Sequence, residues 1–123
     1  MNKILRNKNE IIEYFEKGSK PKKFWKIGTE HEKFIYNLNN LEPINYHGKN
    51  GIKSLFKSLK KKGWKEIFEG KNLIALKNKG STISLEPRCQ IELSGGTVKT
   101  IHETCREAKT YLDQLKTICV KKK

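Results

Sequence analysis

Four glutamates lie within, or at the ends of, stretches that otherwise have the composition of β-strands. Glutamate is disfavoured in strands, so these positions stand out: Glu30, Glu32, Glu86 and Glu92. Side chains two residues apart point to the same face of a strand, which makes Glu30 and Glu32 a carboxylate pair. The same spacing places Gln90, Glu92 and Ser94 on one face. Adjacent carboxylates repel unless a cation neutralises them, and Mg²⁺, which binds carboxylate oxygens together with water and phosphates, is the cation that this pattern favours.

A plainer interpretation is an exposed sheet face on which the glutamates balance the many lysines of the chain. Glu-x-Glu spacing alone does not separate the two interpretations. Aromatic residues on the same predicted face as Glu30 and Glu32 would half-bury the pair: Phe24, Phe34 and Tyr36. Gly28 on that face would allow close backbone approach. We therefore expect a half-buried carboxylate pair that binds a ligand.

The elements that must position these residues indicate an α+β domain. Alternating aromatic and β-branched residues predict a strand over residues 24–37, and residues 37–51 are predicted to form a loop. Further short strands, separated by turn residues, are predicted over residues 64–68, 73–76, 81–86 and 90–93. Together they form an antiparallel sheet.

Three helices are predicted beside this sheet. One runs from Asn9 to a stop at Gly18, and another from Ile52 to a stop at Gly63. The last begins with Thr100 and Glu103 at the spacing of a capping box. Its apolar stripe is predicted to consist of Ile101, Cys105, Ala108, Leu112, Leu115 and Cys119. The fold class is therefore an antiparallel β-sheet with flanking helices.

The charge of the chain suggests a second class of function. Its 123 residues have a formal charge of +14, yet only three of the 27 basic residues are arginine. Arginine is the usual reader of phosphates and bases, and lysine, asparagine and isoleucine all have A/T-rich codons. Codon composition therefore explains the charge better than a polyanion site does, and nucleic acid is not an expected partner.

The apolar stretches and the cysteines of the sequence indicate a cellular compartment. No stretch approaches the roughly 20 apolar residues of a membrane span, and residues 1–10 lack the apolar centre of a secretory signal. The three cysteines form neither a CxxC pair nor an even set that could close a disulfide framework. We expect a cytoplasmic protein with reduced thiols and no membrane partner.

Several blocks of the sequence, in series, resemble glutamate-cysteine ligase of the plant and proteobacterial type. The blocks are IGTEHEKFIY (27–36), INYHGKNGIKSLFKSLKKKGW (44–64), NLIALKNKGSTISLEP (72–87), QIELSGG (90–96) and TIHETCREAKTYLDQL (100–115). The resemblance covers about residues 8–116, and blocks in series are far more specific than any single one.

The resemblance implies an ATP-dependent ligase with a glutamine-synthetase-like fold and a carboxylate-rich site for Mg²⁺. The substrates would be glutamate, cysteine and ATP, with an acyl phosphate as intermediate, in the first step of glutathione biosynthesis. The resemblance assigns Glu30, Glu32, Glu86 and Glu92 to metal binding. It assigns Gln90, Ser94 and Gly95 to the substrate pocket, and no separate catalytic residue.

Two departures from the family pattern stand out. Arg88 and Cys89 replace a Gly-Gly pair, and glycines at such a position indicate positive φ or close backbone contact. The chain is also several times shorter than family members. Residues 1–123 are thus expected to be the N-terminal portion of one catalytic domain, inactive without the missing C-terminal portion. The alternatives are a free basic module that binds polyanions and an inactive truncated remnant.

Overall fold

The computed structural model describes residues 4–120, which form three α-helices, two short 3₁₀ turns (Lys22–Phe24 and Pro87–Cys89) and one five-stranded sheet. The helices are α1 (Lys8–Gly18), α2 (Ile52–Lys60) and α3 (Ile101–Val120). The strands are β1 (Glu30–Lys33), β2 (Lys65–Glu69), β3 (Asn72–Asn78), β4 (Ser81–Leu85) and β5 (Ile91–Ser94). The strand order is β1-β5-β4-β3-β2, and every neighbouring pair is antiparallel. The predicted α+β class is confirmed.

Strands β2, β3 and β4 form the predicted meander. The turn between β3 and β4 consists of Lys79 and Gly80, both at positive φ, which suits a tight hairpin. Between β2 and β3 the register shifts by one residue, so Ile74 is an extra residue opposite Ile67 and Phe68. This bulge turns Leu73 into the core, where it is fully buried.

The hydroxyl of Tyr46 connects the loop of residues 37–51 to this bulge through two hydrogen bonds. It accepts a hydrogen bond from the Leu73 amide (2.8 Å) and donates one to the Leu73 carbonyl (3.1 Å). One side-chain oxygen thus replaces a strand neighbour for both backbone groups of Leu73.

The core lies between one face of the sheet and helices α2 and α3. Alternate residues of the strands point into it: Leu76, Ile83, Ile91 and Leu93. Helix α2 packs the apolar stripe that its spacing predicts, namely Ile52, Leu55, Phe56 and Leu59. Trp64 is buried as well, and its indole donates to the side-chain oxygen of Gln114 in α3 (2.8 Å).

The stripe predicted for α3 is correct only in its middle: Leu115 is buried and Ala108 and Leu112 are half-buried, but both ends of the stripe are wrong. The buried residues of this helix are Thr104, Tyr111, Leu115 and Ile118, whereas Ile101, Cys105 and Cys119 are exposed. Thr104 can face the core because its hydroxyl donates to the Ile101 carbonyl (2.7 Å). One bond of the predicted capping box is present, since the Glu103 carboxylate accepts from the Thr100 amide (2.9 Å), but the Glu103 amide donates to the Thr100 carbonyl and not to its hydroxyl.

The strand predicted over residues 24–37 is much shorter in the structure. Strand β1 ends the sheet, and its neighbour β5 spans only four residues. Outside β1 only isolated bridges continue the extended pattern, Ile27 with Val98 and Tyr36 with Pro43. Helix α1 buries none of its residues. Within residues 4–120, no helix is long and apolar enough to cross a membrane.

Candidate functional site

The sheet face opposite the core is polar, and the strand register arranges its side chains in two rows across the sheet. One row contains Glu32, Glu92, Ser84 and Ala75, in the order β1, β5, β4, β3. The next contains Glu30, Ser94, Thr82 and Lys77 in the same order. We call this surface the polar face. It changes from carboxylates at β1 and β5, through hydroxyls at β4, to a lysine at β3.

The predicted carboxylates meet on this face. Glu32 lies directly opposite Glu92, at a typical Cβ separation of about 5 Å. Glu30 is two residues from Glu32 on β1, and Glu86 follows β4 two residues after Ser84, the partner of Glu92. All four predicted metal ligands are therefore on one face, with two of them directly opposed.

The exposure of the pair differs from the prediction. Glu30 and Glu32 are exposed rather than half-buried. The aromatic residues expected to cover them are themselves about half exposed, with 50% for Phe34 and 48% for Tyr36. Because β1 is an edge strand, no further strand of the described chain pairs with its outer side. Glu86 and Glu92, further into the sheet, are half-buried.

Neighbouring serines orient the two inner carboxylates. The Ser94 hydroxyl donates to Glu92 Oε1 (2.8 Å), and the Ser84 hydroxyl donates to Glu86 Oε1 (2.9 Å). Both bonds join residues two apart on the same face, so each serine fixes one oxygen of its carboxylate. The predicted substrate residue Ser94 therefore contacts a predicted metal ligand.

No lysine within residues 4–120 forms an ion pair with these carboxylates. Ion pairs between described residues join Lys17 to Glu13, Lys60 to Glu66 and Lys109 to Asp113. None of these pairs involves a glutamate of the polar face. The interpretation in which the lysine surplus balances the paired glutamates thus has no contact to support it in this part of the chain.

The donor chemistry of the polar face fits Mg²⁺. Within the described residues no three His, Cys, Asp or Glu side chains converge as a metal-binding group. Mg²⁺ usually binds one or two protein carboxylates and takes its remaining ligands from water and phosphates. Glu32 and Glu92, which lie opposite each other, supply two carboxylates, and Glu30 and Glu86 lie beside them.

The turn between Glu86 and Gln90 has the unusual backbone that the sequence indicated. Arg88 and Cys89 both have positive φ, at 58° and 59°. The Glu86 amide donates to the Gln90 carbonyl across the turn (2.8 Å). Gln90 is half-buried and directly precedes β5. The turn thus holds the ends of β4 and β5 together.

Glu107 of α3 lies beside the site and was not predicted from the sequence. Its Oε1 accepts hydrogen bonds from the Ser81 hydroxyl and from the Gly96 amide (2.9 Å), and so joins α3 to the start of β4 and the segment after β5. In the structure Glu107 lies three residues after the buried Thr104 and four before the buried Tyr111, a position that the predicted stripe did not indicate.

Comparison with known proteins points to one family. The family model described as glutamate-cysteine ligase family 2 matches residues 26–122. Similar proteins include the chloroplastic glutamate-cysteine ligase of Medicago truncatula (42% identical over 115 residues) and the chloroplastic glutamate-cysteine ligase A of Oryza sativa subsp. japonica (41% over 112 residues). Another is the chloroplastic enzyme of Arabidopsis thaliana (39% over 115 residues). These matches cover 90% of this chain but only 21–22% of each relative, so the chain spans about a fifth of their length.

The names of these relatives contradict the cytoplasmic location expected from the sequence. They describe chloroplastic proteins, which points to a plastid rather than the cytoplasm. The expectation was based on reduced thiols and on the composition of the chain, and neither property distinguishes one reducing compartment from another.

Proposed function

The chain belongs to glutamate-cysteine ligase family 2, and on that premise we propose that the protein containing it joins the γ-carboxyl group of glutamate to the amine of cysteine. The γ-carboxylate attacks the γ-phosphorus of ATP, which releases ADP and gives an acyl phosphate. The cysteine amine then attacks the acyl carbon, phosphate leaves, and the amine loses a proton. This reaction is the first step of glutathione biosynthesis.

The observation that best supports this proposal is the opposition of Glu32 and Glu92 on the polar face. Directly opposed like charges destabilise a sheet, and no lysine of the described ion pairs reaches them. Both residues lie within the 26–122 match to the family. A site for a divalent cation accounts for the cost of keeping these carboxylates together.

We assign Glu30, Glu32, Glu86 and Glu92 to Mg²⁺ binding. The cation, when bound, neutralises charge on the phosphate oxygens during phosphoryl transfer. Ser84 and Ser94 hold one oxygen of Glu86 and Glu92, which leaves the other oxygen of each to face a ligand.

The substrate pocket is assigned to Gln90, Ser94 and Gly95. These three residues lie at the two ends of β5, beside the carboxylates that they would help to align. Ser94 reaches the cation site through its bond to Glu92, so it can align the substrate with the metal ligands.

We propose further that residues 1–123 are the N-terminal portion of a single catalytic domain with a glutamine-synthetase-like fold. Alone they would be inactive, because an acyl phosphate must be shielded from water and Glu30 and Glu32 are exposed in the described chain. The missing C-terminal portion would cover the polar face and close the ATP site.

The test is ADP release by the protein at the length that its gene encodes. Release should require Mg²⁺, glutamate and cysteine together. Glu32→Gln and Glu92→Gln should each lower the rate by about 100-fold or more, as expected when charge stabilisation of a transferring phosphoryl group is lost. Glu69→Gln, an exposed glutamate at the end of β2, is the matched control and should leave the rate unchanged.

Each other outcome has a distinct meaning. Wild-type rates in both polar-face variants would refute the metal assignment. If a wild-type protein that extends beyond residue 123 released no ADP, the ligase proposal would fail, and the polyanion-binding module and the inactive remnant would be the interpretations to pursue.

A further inference from the structure

We propose that Glu107 is a positioning residue that fixes the position of the 94–96 backbone relative to the polar face. This role rests on the ligase function proposed above. Glu107 is on α3, on the core side of the sheet, and it does not itself reach the polar face. Its effect on the site would pass through the backbone of Gly95 and Gly96 to Ser94.

The first support is the set of elements that one carboxylate oxygen joins. Glu107 Oε1 accepts from Ser81 at the start of β4 and from the Gly96 amide just after β5. The Gly95 amide in turn donates to the Thr29 carbonyl (2.7 Å), just before β1. Three strands are therefore tied together where the 94–96 segment leaves the sheet.

The second support is the space at position 95. A Cβ atom there would lie 2.3 Å from Glu107 Oε2 and 3.0 Å from the Thr29 carbonyl oxygen. At position 96 the nearest atoms, Ser81 Oγ and Glu107 Oε1, would be at ordinary contact distances of 3.5 and 3.6 Å. Neither glycine has positive φ, so the constraint at Gly95 is one of space: a Cβ atom there would force the Glu107 carboxylate or the Thr29 carbonyl to shift.

The third support is an unused polar atom. Glu107 Oε2 is buried and has no hydrogen-bond partner in the described part of the chain. A buried carboxylate oxygen without a partner destabilises a fold. A carboxylate that only stabilised the fold would not need this unpartnered oxygen. A carboxylate that packs against Gly95 does need it, because Oε2 is the atom that fills the space at Gly95.

These contacts form a continuous path to the site. Glu107 holds Gly96 and fills the space under Gly95, and the next residue, Ser94, donates to Glu92 Oε1. A shift of the 94–96 segment would therefore move the Glu92 carboxylate relative to Glu32. Misplacement of a reacting group by about 1 Å can lower a rate by about 100-fold.

The packing is tested by a double-mutant cycle on unfolding temperature, measured on the protein at its gene-encoded length. Gly95→Ala should lower the unfolding temperature clearly, and Gly96→Ala, the matched control, should lower it much less. In the Glu107→Ala background, Gly95→Ala should lower the unfolding temperature by less than half as much as it does in the wild-type background, because the 2.3 Å contact is gone. Equal costs in both backgrounds would overturn the proposal.

The positioning role is tested by the kinetics of ADP release. Glu107→Ala should lower kcat/KM for glutamate by about 10- to 100-fold and raise the Mg²⁺ concentration that gives half the maximal rate. Glu107→Gln keeps an acceptor at Oε1 and offers an NH₂ group at Oε2, so it should stay within a few-fold of wild type. If Glu107→Gln were as impaired as Glu107→Ala, or if Glu107→Ala kept wild-type kinetics, the positioning role would be refuted.

Two safeguards keep the outcomes separate. Should Glu107→Ala fail to fold, Ser81→Ala removes one of the two donors to Oε1 and should shift the same kinetic constants in the same direction; unchanged constants would count against the proposal. An inactive wild-type protein would refute the ligase function, and the unfolding cycle would still decide whether Glu107 fills the space at Gly95.

Discussion

Replacing Arg88 by glycine should stabilise the protein, although it removes a side chain. Arg88 has φ 58° and ψ 31°, in the left-handed region. That conformation costs a residue with a Cβ atom roughly 1–2 kcal/mol, whereas the extra freedom of glycine in the unfolded chain costs about 0.4–1 kcal/mol. The side chain is exposed, so little packing is lost. The net gain should be about 0.5–1 kcal/mol, or roughly 2–4 °C in unfolding temperature for a chain of this size.

The assay is thermal unfolding of the 123-residue chain, followed by circular dichroism. Arg88→Ala is the essential control, because it removes the same positive charge from a chain with a charge of +14 but keeps the Cβ atom. Lys79→Gly provides a parallel case, since Lys79 is exposed with φ 43° in the turn between β3 and β4. Cys89→Gly should gain less than Arg88→Gly, because Cys89 packs against the core.

One pattern of results would refute this reasoning. If Arg88→Ala stabilised the chain as much as Arg88→Gly, the gain would come from reduced charge repulsion and not from the backbone. No gain from either Arg88→Gly or Lys79→Gly would mean that left-handed residues cost nothing in this fold.

Two further predictions concern Tyr111 and Glu103. The Tyr111 hydroxyl is buried without a hydrogen-bond partner among the described residues, and burial raises its pKa; Tyr111→Phe should therefore stabilise the chain by about 1 kcal/mol in chemical denaturation. The matched change Tyr46→Phe should destabilise it by about 1–3 kcal/mol, because that hydroxyl bonds both backbone groups of Leu73; the same sign for both variants would contradict the argument. Hydrogen bonds from the hydroxyl and amide of Thr100 and from the Lys99 amide hold the pKa of Glu103 below its ordinary value of 4.5. The stabilising effect of the Glu103 carboxylate should be complete above pH 4.5 and disappear as the pH falls below that value. The difference in unfolding temperature between wild type and Glu103→Gln should therefore shrink in acid. A difference that stayed constant from about pH 7 to about pH 3 would exclude this role.

Local signals predicted most of the sheet. Turn residues such as Gly70 and Gly80 separate the strands of the meander. The alternation of apolar and polar positions is clear in β5, where Ile91 and Leu93 are buried and Glu92 is not. The two-residue period also placed Glu30 and Glu32 on one face. Such patterns depend only on neighbours in sequence, so they can be recognised without the fold.

The errors arose where a residue's surroundings come from distant parts of the chain. The start of the α3 stripe was predicted wrongly because Thr104 is a polar residue, whereas its hydroxyl bonds within the helix and its side chain faces the core. The burial of Glu30 and Glu32 was overestimated because their exposure depends on the edge position of β1. Glu107 was missed because its partners, Ser81 and Gly96, meet it only after folding.

The edge position of β1 has a consequence for how a larger protein can build on this sheet. The outer backbone groups of β1 have no neighbouring strand within residues 4–120. A strand added there by a later part of the chain would lie about 4.8 Å from β1. Its alternate side chains would stand beside Glu30 and Glu32 on the polar face. A strand added at the edge of the sheet can thus bring new residues beside the carboxylates. Without such a strand, the same edge is open to pairing with other chains.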